Sequence, residues 1–113
     1  MPTTTLDRAR TARLFHALSD ETRLAVLEML GDGERCVCDL QEALDAAQSR
    51  LSFHLKVLKE AGLVTDRPDG ARRVYQIDPQ GLGQIRAWLD QFWDVALDAF
   101  KAEAERDHDE GDE

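Results

Sequence analysis

Cysteine is almost absent from this 113-residue chain, and the two that occur, Cys36 and Cys38, lie one residue apart. A bridge between distant loops is therefore excluded. No apolar run approaches the roughly 20 residues of a membrane-spanning helix. The N-terminal stretch MPTTTLDRARTARLF lacks the apolar core of a secretory signal. Two thiols without a signal point to a reducing cytoplasm, where structural disulfides are rare. There is no nucleophile–base constellation, phosphate-binding loop or HExxH site, and the histidines are scattered, all of which argues against an enzyme. No internal repeat is present, and the length fits one domain.

What the chain does have is charge, unevenly placed. The total is −9. Residues 1–46 carry 5 basic and 9 acidic side chains, and residues 78–113 carry 3 and 11. Residues 47–77 carry 6 basic and 3 acidic side chains, so the one basic segment is flanked by acidic ones. Local field rather than total charge decides where a polyanion docks.

Hydrophobic spacing organises the rest. LDRARTARLFHALSDETRLAVLEMLGDG predicts two helices, with Leu14, Ala17 and Leu18 on one face of the first and Leu24, Leu27 and Leu30 on one face of the second. Ser19-Asp20 offers the N-cap between them. A short helix is expected over Val37 to Leu44, and a fourth over Gln48 to Ala61 with Leu51, Leu55 and Leu58 inward. Gly62 fits the position after that helix, with Leu63 completing the hydrophobic contact. LVTDRPDGARRVYQI then predicts a two-stranded hairpin turning at Pro68-Asp69-Gly70. Pro79 opens a last helix whose apolar band runs from Leu82 through Ile85, Leu89, Phe92, Trp93, Ala96 and Phe100. That band is too wide for one small domain to cover, which predicts a homodimer through the last helix, joined by the first. Asp90, Asp94 and Asp98 form a separate stripe, read as a solvated face. The expected organisation is a single unit over residues 1–104 and an acidic, disordered tail over 105–113.

Five helices with a two-stranded hairpin, mainly α and dimeric, make a winged helix-turn-helix of α+β type. On a wheel of about 100° per residue, with Leu51, Leu55 and Leu58 inward, Ser49, Ser52, Phe53 and Lys56 point outward. Small hydroxyls and a lysine suit a helix lying in the major groove. Gln48 and Arg50 flank that face near the helix start, where base contacts concentrate. Phe53 is open to two readings, contact with a thymine methyl or packing on the short helix. His54 reads as a structural hydrogen-bonding residue. Arg67, Arg72 and Arg73 surround the hairpin tip and suit phosphate contact. An acidic interaction module on the same fold is the competing class, and it would show no salt-dependent duplex binding.

The cysteine pair has three readings: ligands for a soft ion, a redox couple, or inert packing residues. Two residues apart on a regular helix means about 200° of rotation, so the sulfurs would face nearly opposite sides. A shared ion would then require the segment at 34–38 to leave helical geometry, and so would distort the start of the short helix. A helix N-terminus and Arg35 both favour the thiolate.

The stretches LFHALSDETRLAVLEML, CVCDL, QSRLSFHLKVLKEAGLV and DGARRVYQI, in register over roughly residues 13–77, resemble the ArsR/SmtB metalloregulators. These are dimeric bacterial repressors released from DNA by metal or metalloid ions. The resemblance implies double-stranded operator DNA as partner. Its CVCDL motif is similar to that of the arsenic-responsive branch, which implies As(III) or Sb(III) held by Cys36 and Cys38 as inducer. Those ions favour three sulfurs, and the branch's third cysteine would fall at Gln41. Another departure is Ala47, where the family often places a serine that caps the recognition helix. Asp45 is the candidate to compensate, or the helix boundary shifts.

Overall fold

The structure, a computed structural model, describes residues 7–111. Helix α1 (Arg8–Leu18) is capped by Asp7, whose carboxylate accepts the Arg10 N–H at 3.1 Å. Helix α2 (Glu21–Gly31) is capped in the same way by Asp20, which accepts from the Arg23 N–H at 3.1 Å. A two-residue strand β1 (Arg35–Cys36) leads into helix α3 (Val37–Leu44), and α4 (Gln48–Ala61) follows. Strands β2 (Val64–Asp69) and β3 (Arg72–Ile77) form the hairpin, and α5 (Pro79–Gly111) ends the chain.

The ends of α3 and α4 fall where the sequence cues place them. Gly62 adopts a left-handed φ of 88°, Leu63 donates its N–H to the Leu58 carbonyl at 2.9 Å, and Leu63 is fully buried. Ala47 sits at the N-cap of α4 without any side-chain cap bond. Asp45 does not replace it, because Asp45 closes α3 in a left-handed conformation with φ 49°. The helix therefore starts at Gln48 uncapped, and its packing rather than its cap holds the start in place.

The core joins Leu14 and Ala17 of α1, Val26, Leu27 and Leu30 of α2, and Leu40 of α3. Leu51, Leu55 and Leu58 of α4 meet Leu63, Val64 and Ile85 there. One expectation fails in α2: Leu24 is exposed. On the helical wheel it lies about 110° from the centre of the stripe made by Val26, Leu27 and Leu30. Arg23 takes the inward place instead and is only 7% exposed.

The wing is a three-stranded antiparallel sheet of order β1-β3-β2, one strand more than the hairpin alone. Arg35 pairs with Tyr75 and Cys36 with Val74, so the cysteine pair is attached to the wing as well as to α3. At the opposite edge of the core, Gly81 sits against the Gly62 carbonyl. A Cβ there would collide with backbone, so α5 can approach the α4–β2 corner only through glycine.

Helix α5 has 33 residues and spans about 50 Å at 1.5 Å per residue. Ile85 is buried and Trp88 packs edge-on against Phe15 at 5.3 Å between ring centroids. Beyond that point Phe92, Trp93, Val95, Leu97 and Phe100 are all exposed in the single chain. Asp90 and Asp98 are exposed as well, while the Asp94 side chain lies outside the described residues. The backbone shows no break at residue 105, where the composition suggests disorder, and α5 continues to Gly111. Ala, Glu and Arg at 102–106 are strong helix formers, and Glu103 and Arg106 pair one turn apart.

Candidate nucleic-acid interface and thiol site

Six of the side chains expected at the DNA surface lie on one helix. Gln48, Ser49, Arg50, Ser52, Phe53 and Lys56 of α4 are all exposed, while Leu51, Leu55 and Leu58 behind them are buried. Arg50 and Lys56 make no ion pair among the described residues. Phe53 is 59% exposed, and its ring meets the edge of His54 at 5.5 Å between ring centroids. His54 is buried, and its Nδ1 lies 3.0 Å from Nη1 of Arg23.

The wing arginines are less free than their number suggests, because each holds a carboxylate. Arg67 donates to Glu34 at 2.6 Å and Arg72 to Asp69 at 2.9 Å, both at the exposed surface. Exposed pairs of this kind contribute about 0–1 kcal/mol and exchange readily for a phosphate. Arg73 is tied more firmly. Its Nε donates at 2.8 Å to Asp66, whose side chain is 6% exposed and also receives Lys59 Nζ at 2.8 Å. Asp66 thus fixes the wing to α4.

The hydrogen bond from Lys59, and then that from Arg73, hold the Asp66 carboxyl below its ordinary pKa despite the opposing effect of burial. A depressed carboxyl pKa adds stability that is present above the unfolded value and lost as pH falls through the folded one. Urea midpoints measured from pH 7 down should therefore fall for the parent below about pH 4. An Asp66→Asn variant should start less stable, and the gap between the two should narrow on acidification. A gap that stays constant below that pH contradicts the linkage.

Cys36 and Cys38 meet without any unwinding, contrary to the expectation from a regular helix. Cys36 is not helical: it is the N-cap of α3, with extended backbone at φ −76° and ψ 162°. Its Sγ accepts the Asp39 N–H at 3.2 Å. Helix α3 starts one residue later, so the chain turns between the two cysteines. Their Cα atoms are 5.2 Å apart and the sulfurs are joined as a disulfide. Cys36 is buried and Cys38 is exposed. A carboxylate oxygen of Asp39 lies within 4.8 Å of both sulfurs. The donor set fits a soft ion once the pair is reduced, since two thiolates share one side. The Asp39 carboxylate is a hard donor and a poor third ligand for such an ion.

The pair opens on a cleft of about 450 Å³ between α3, the start of α4 and the wing. Gln41, Gln48, Ser52, Arg72, Arg73 and Tyr75 line it together with the two cysteines. The cysteine pair and part of the surface expected to meet DNA therefore share one cavity. Tyr75 and Asp39 were not singled out in the sequence. Asp39 was visible only as a neighbour of the pair, and Tyr75 only through the unexpected strand β1.

Comparison with known proteins agrees with this geometry. Residues 20–66 match the family described as "Bacterial regulatory protein, arsR family". An HTH-type transcriptional regulator of Mycobacterium tuberculosis is 49% identical over 88 residues, covering 78% of this chain and 82% of that protein. The arsenical resistance operon repressor of Escherichia coli is 43% identical over 86 residues, covering 72% of this chain and 70% of the repressor. Among solved structures, a homodimeric winged helix-turn-helix DNA-binding domain from Mycobacterium bovis superposes with a TM-score of 0.66. It is 29% identical, with 83% of this chain and 87% of that one covered.

Proposed function

This chain belongs to the ArsR family of bacterial regulatory proteins and is a transcriptional repressor, not an enzyme; from that premise we propose that it binds operator DNA as a homodimer and is released when Cys36 and Cys38 take up As(III) or Sb(III). The observation that supports the inducer reading is the shared cleft, with two sulfurs on one side at its mouth. The repressor function of the Escherichia coli relative in arsenical resistance points the same way. A second copy is proposed to cover the exposed face of α5 around Phe92, Trp93 and Phe100, and residues 1–104 are proposed as the DNA-binding and dimerising unit. No described helix is long and apolar enough to cross a membrane, and we place the protein in the cytoplasm with its DNA. Oxidation of the pair is a second reading, favoured by the Cys36–Cys38 disulfide. It differs in its signal, since peroxide without arsenite would then release the DNA.

The DNA surface is proposed to comprise Gln48, Ser49, Arg50, Ser52, Phe53 and Lys56 of α4 with Arg67, Arg72 and Arg73 of the wing. Fluorescence-anisotropy titration of operator duplex tests it. Lys56→Ala should weaken binding to the specific site by about 1–3 kcal/mol. The double variant Arg72→Ala with Arg73→Ala should reduce the salt slope by about one unit per lost phosphate contact. Unchanged affinity and slope in both would place the surface elsewhere. Sedimentation of the same protein should show a dimer with or without arsenite.

A further inference from the structure

We propose that the cleft beside Cys36 and Cys38 binds a low-molecular-weight thiol bearing a carboxylate, and that this molecule supplies the third sulfur to As(III). The proposal rests on the reading above that the pair takes As(III), and it names what completes the site.

Three observations carry it. The chain offers only two thiols, and the Asp39 oxygen grouped with them is a hard carboxylate donor. Gln41, which occupies the position of the third cysteine expected from the family resemblance, lines the same cleft as the pair. A third soft donor must therefore come from solution, and this cavity is its way in. The cavity, at about 450 Å³, falls in the range of small-molecule sites, roughly 300–1,000 Å³.

The basic part of the cleft lining sets the charge of the visitor. Arg72 and Arg73 both line it. Among the described residues Arg72 is held by an exposed pair with Asp69, which a carboxylate replaces at little loss. Arg73 uses its Nε on Asp66, and a guanidinium has further N–H donors in a fork that suits a carboxylate. An anionic thiol gains these contacts, and a cationic one meets two guanidinium groups.

The chemistry is ligand exchange. The small thiol first reduces the Cys36–Cys38 disulfide: two molecules give up their thiol protons to the protein sulfurs and leave as one small disulfide. One arsenous acid, the two protein thiols and one further small thiol then give a trithiolate and three waters, and arsenic stays at +3. The bound carboxylate sits where Gln48, Ser52 and the wing arginines would face DNA phosphate. Filling the cleft with the arsenic centre thus disfavours DNA there whichever thiol supplies the third sulfur, the bound carboxylate adds competition for the wing arginines, and no unwinding of α3 is needed.

The test uses the reduced full chain with sodium arsenite and three probes in turn: 3-mercaptopropionate, 2-mercaptoethanol and cysteamine. Near-ultraviolet thiolate–arsenic absorption gives the half-saturating arsenite, and native mass spectrometry reports whether the small thiol is in the complex. The anionic probe should form a 1:1:1 complex and reach half-saturation at about tenfold less arsenite than the cationic one, as one to two charge-assisted contacts imply. Arg72→Gln with Arg73→Gln should erase that difference, and Gln41→Cys should saturate without any added thiol. Equal half-saturation with all three probes, or a complex without the small thiol, overturns the proposal while leaving arsenite binding intact. Absence of thiolate–arsenic absorption with every probe overturns the inducer reading as well.

Discussion

Cys36→Ser and Cys38→Ser should each bind operator DNA like the parent and lose the response to As(III) by at least tenfold in effective concentration, about 1.4 kcal/mol or more of differential binding. The structure makes this separation of effects specific. Cys36 caps α3 by accepting the Asp39 N–H, and serine is a better N-cap than cysteine, so the helix start should survive the change. Cys38 is exposed and its replacement creates no cavity. The hydroxyls are hard, weakly acidic donors that do not replace thiolates toward a soft ion. Gln41→Cys should act in the opposite direction, lowering the arsenite needed, because it adds a thiol to the wall of the same cleft. Anisotropy of labelled duplex against arsenite reads all three variants. A single-serine variant that keeps the parent response would remove its cysteine from the sensor.

Arg23→Met should lower stability by about 2–4 kcal/mol and take DNA binding with it. Arg23 is buried at the corner between α1 and α2. Its Nε donates to the Ala17 carbonyl at 2.7 Å and its Nη2 to the His16 carbonyl at 3.4 Å, so it satisfies the end of α1. Its Nη1 donates to His54 Nδ1 at 3.0 Å, which fixes that ring nitrogen as an acceptor and ties the recognition helix to the corner. Asp20 stands 3.8 Å from the same nitrogen. Its carboxyl is held below the ordinary aspartate range, first by the Arg23 backbone N–H. Methionine fills the space and supplies no donor, leaving two carbonyls and the imidazole without their partner. Lysine keeps the charge but not the planar fork, so Arg23→Lys should fall between parent and methionine. Urea unfolding of the three proteins checks the order; a loss under about 1 kcal/mol for methionine would mean that water replaces the guanidinium.

The helix-turn-helix was legible because its cues are local. Gly62 and Pro79 mark boundaries through their own backbone chemistry, and the leucines of α4 recur at helical spacing over about two turns. Strand β1 was not legible, since two residues show no alternation. Its existence depends on β3, nearly forty residues later in the chain. Leu24 was misplaced for a related reason. Leucines three apart drift around the helix, and only the position of the core shows which of them turns inward. Arg23 carries no sign of its burial in the sequence, and nothing near it announces His54. The cysteine pair was recognised from its spacing, but its geometry was not. That depends on Cys36 being a cap rather than a helical residue, a difference of one position at a helix boundary. The apolar band of α5 was plain from composition, whereas its exposure is visible only in the fold.

The most direct measurement is titration of arsenite into a preformed complex of the reduced protein with its operator duplex, followed by anisotropy, for the parent and for the Cys36→Ser/Cys38→Ser double variant. The parent should release the duplex, its anisotropy falling to that of free DNA, while the double variant stays bound at the same arsenite concentrations. Release of DNA by both proteins, or by neither, would contradict an arsenic sensor built on Cys36 and Cys38.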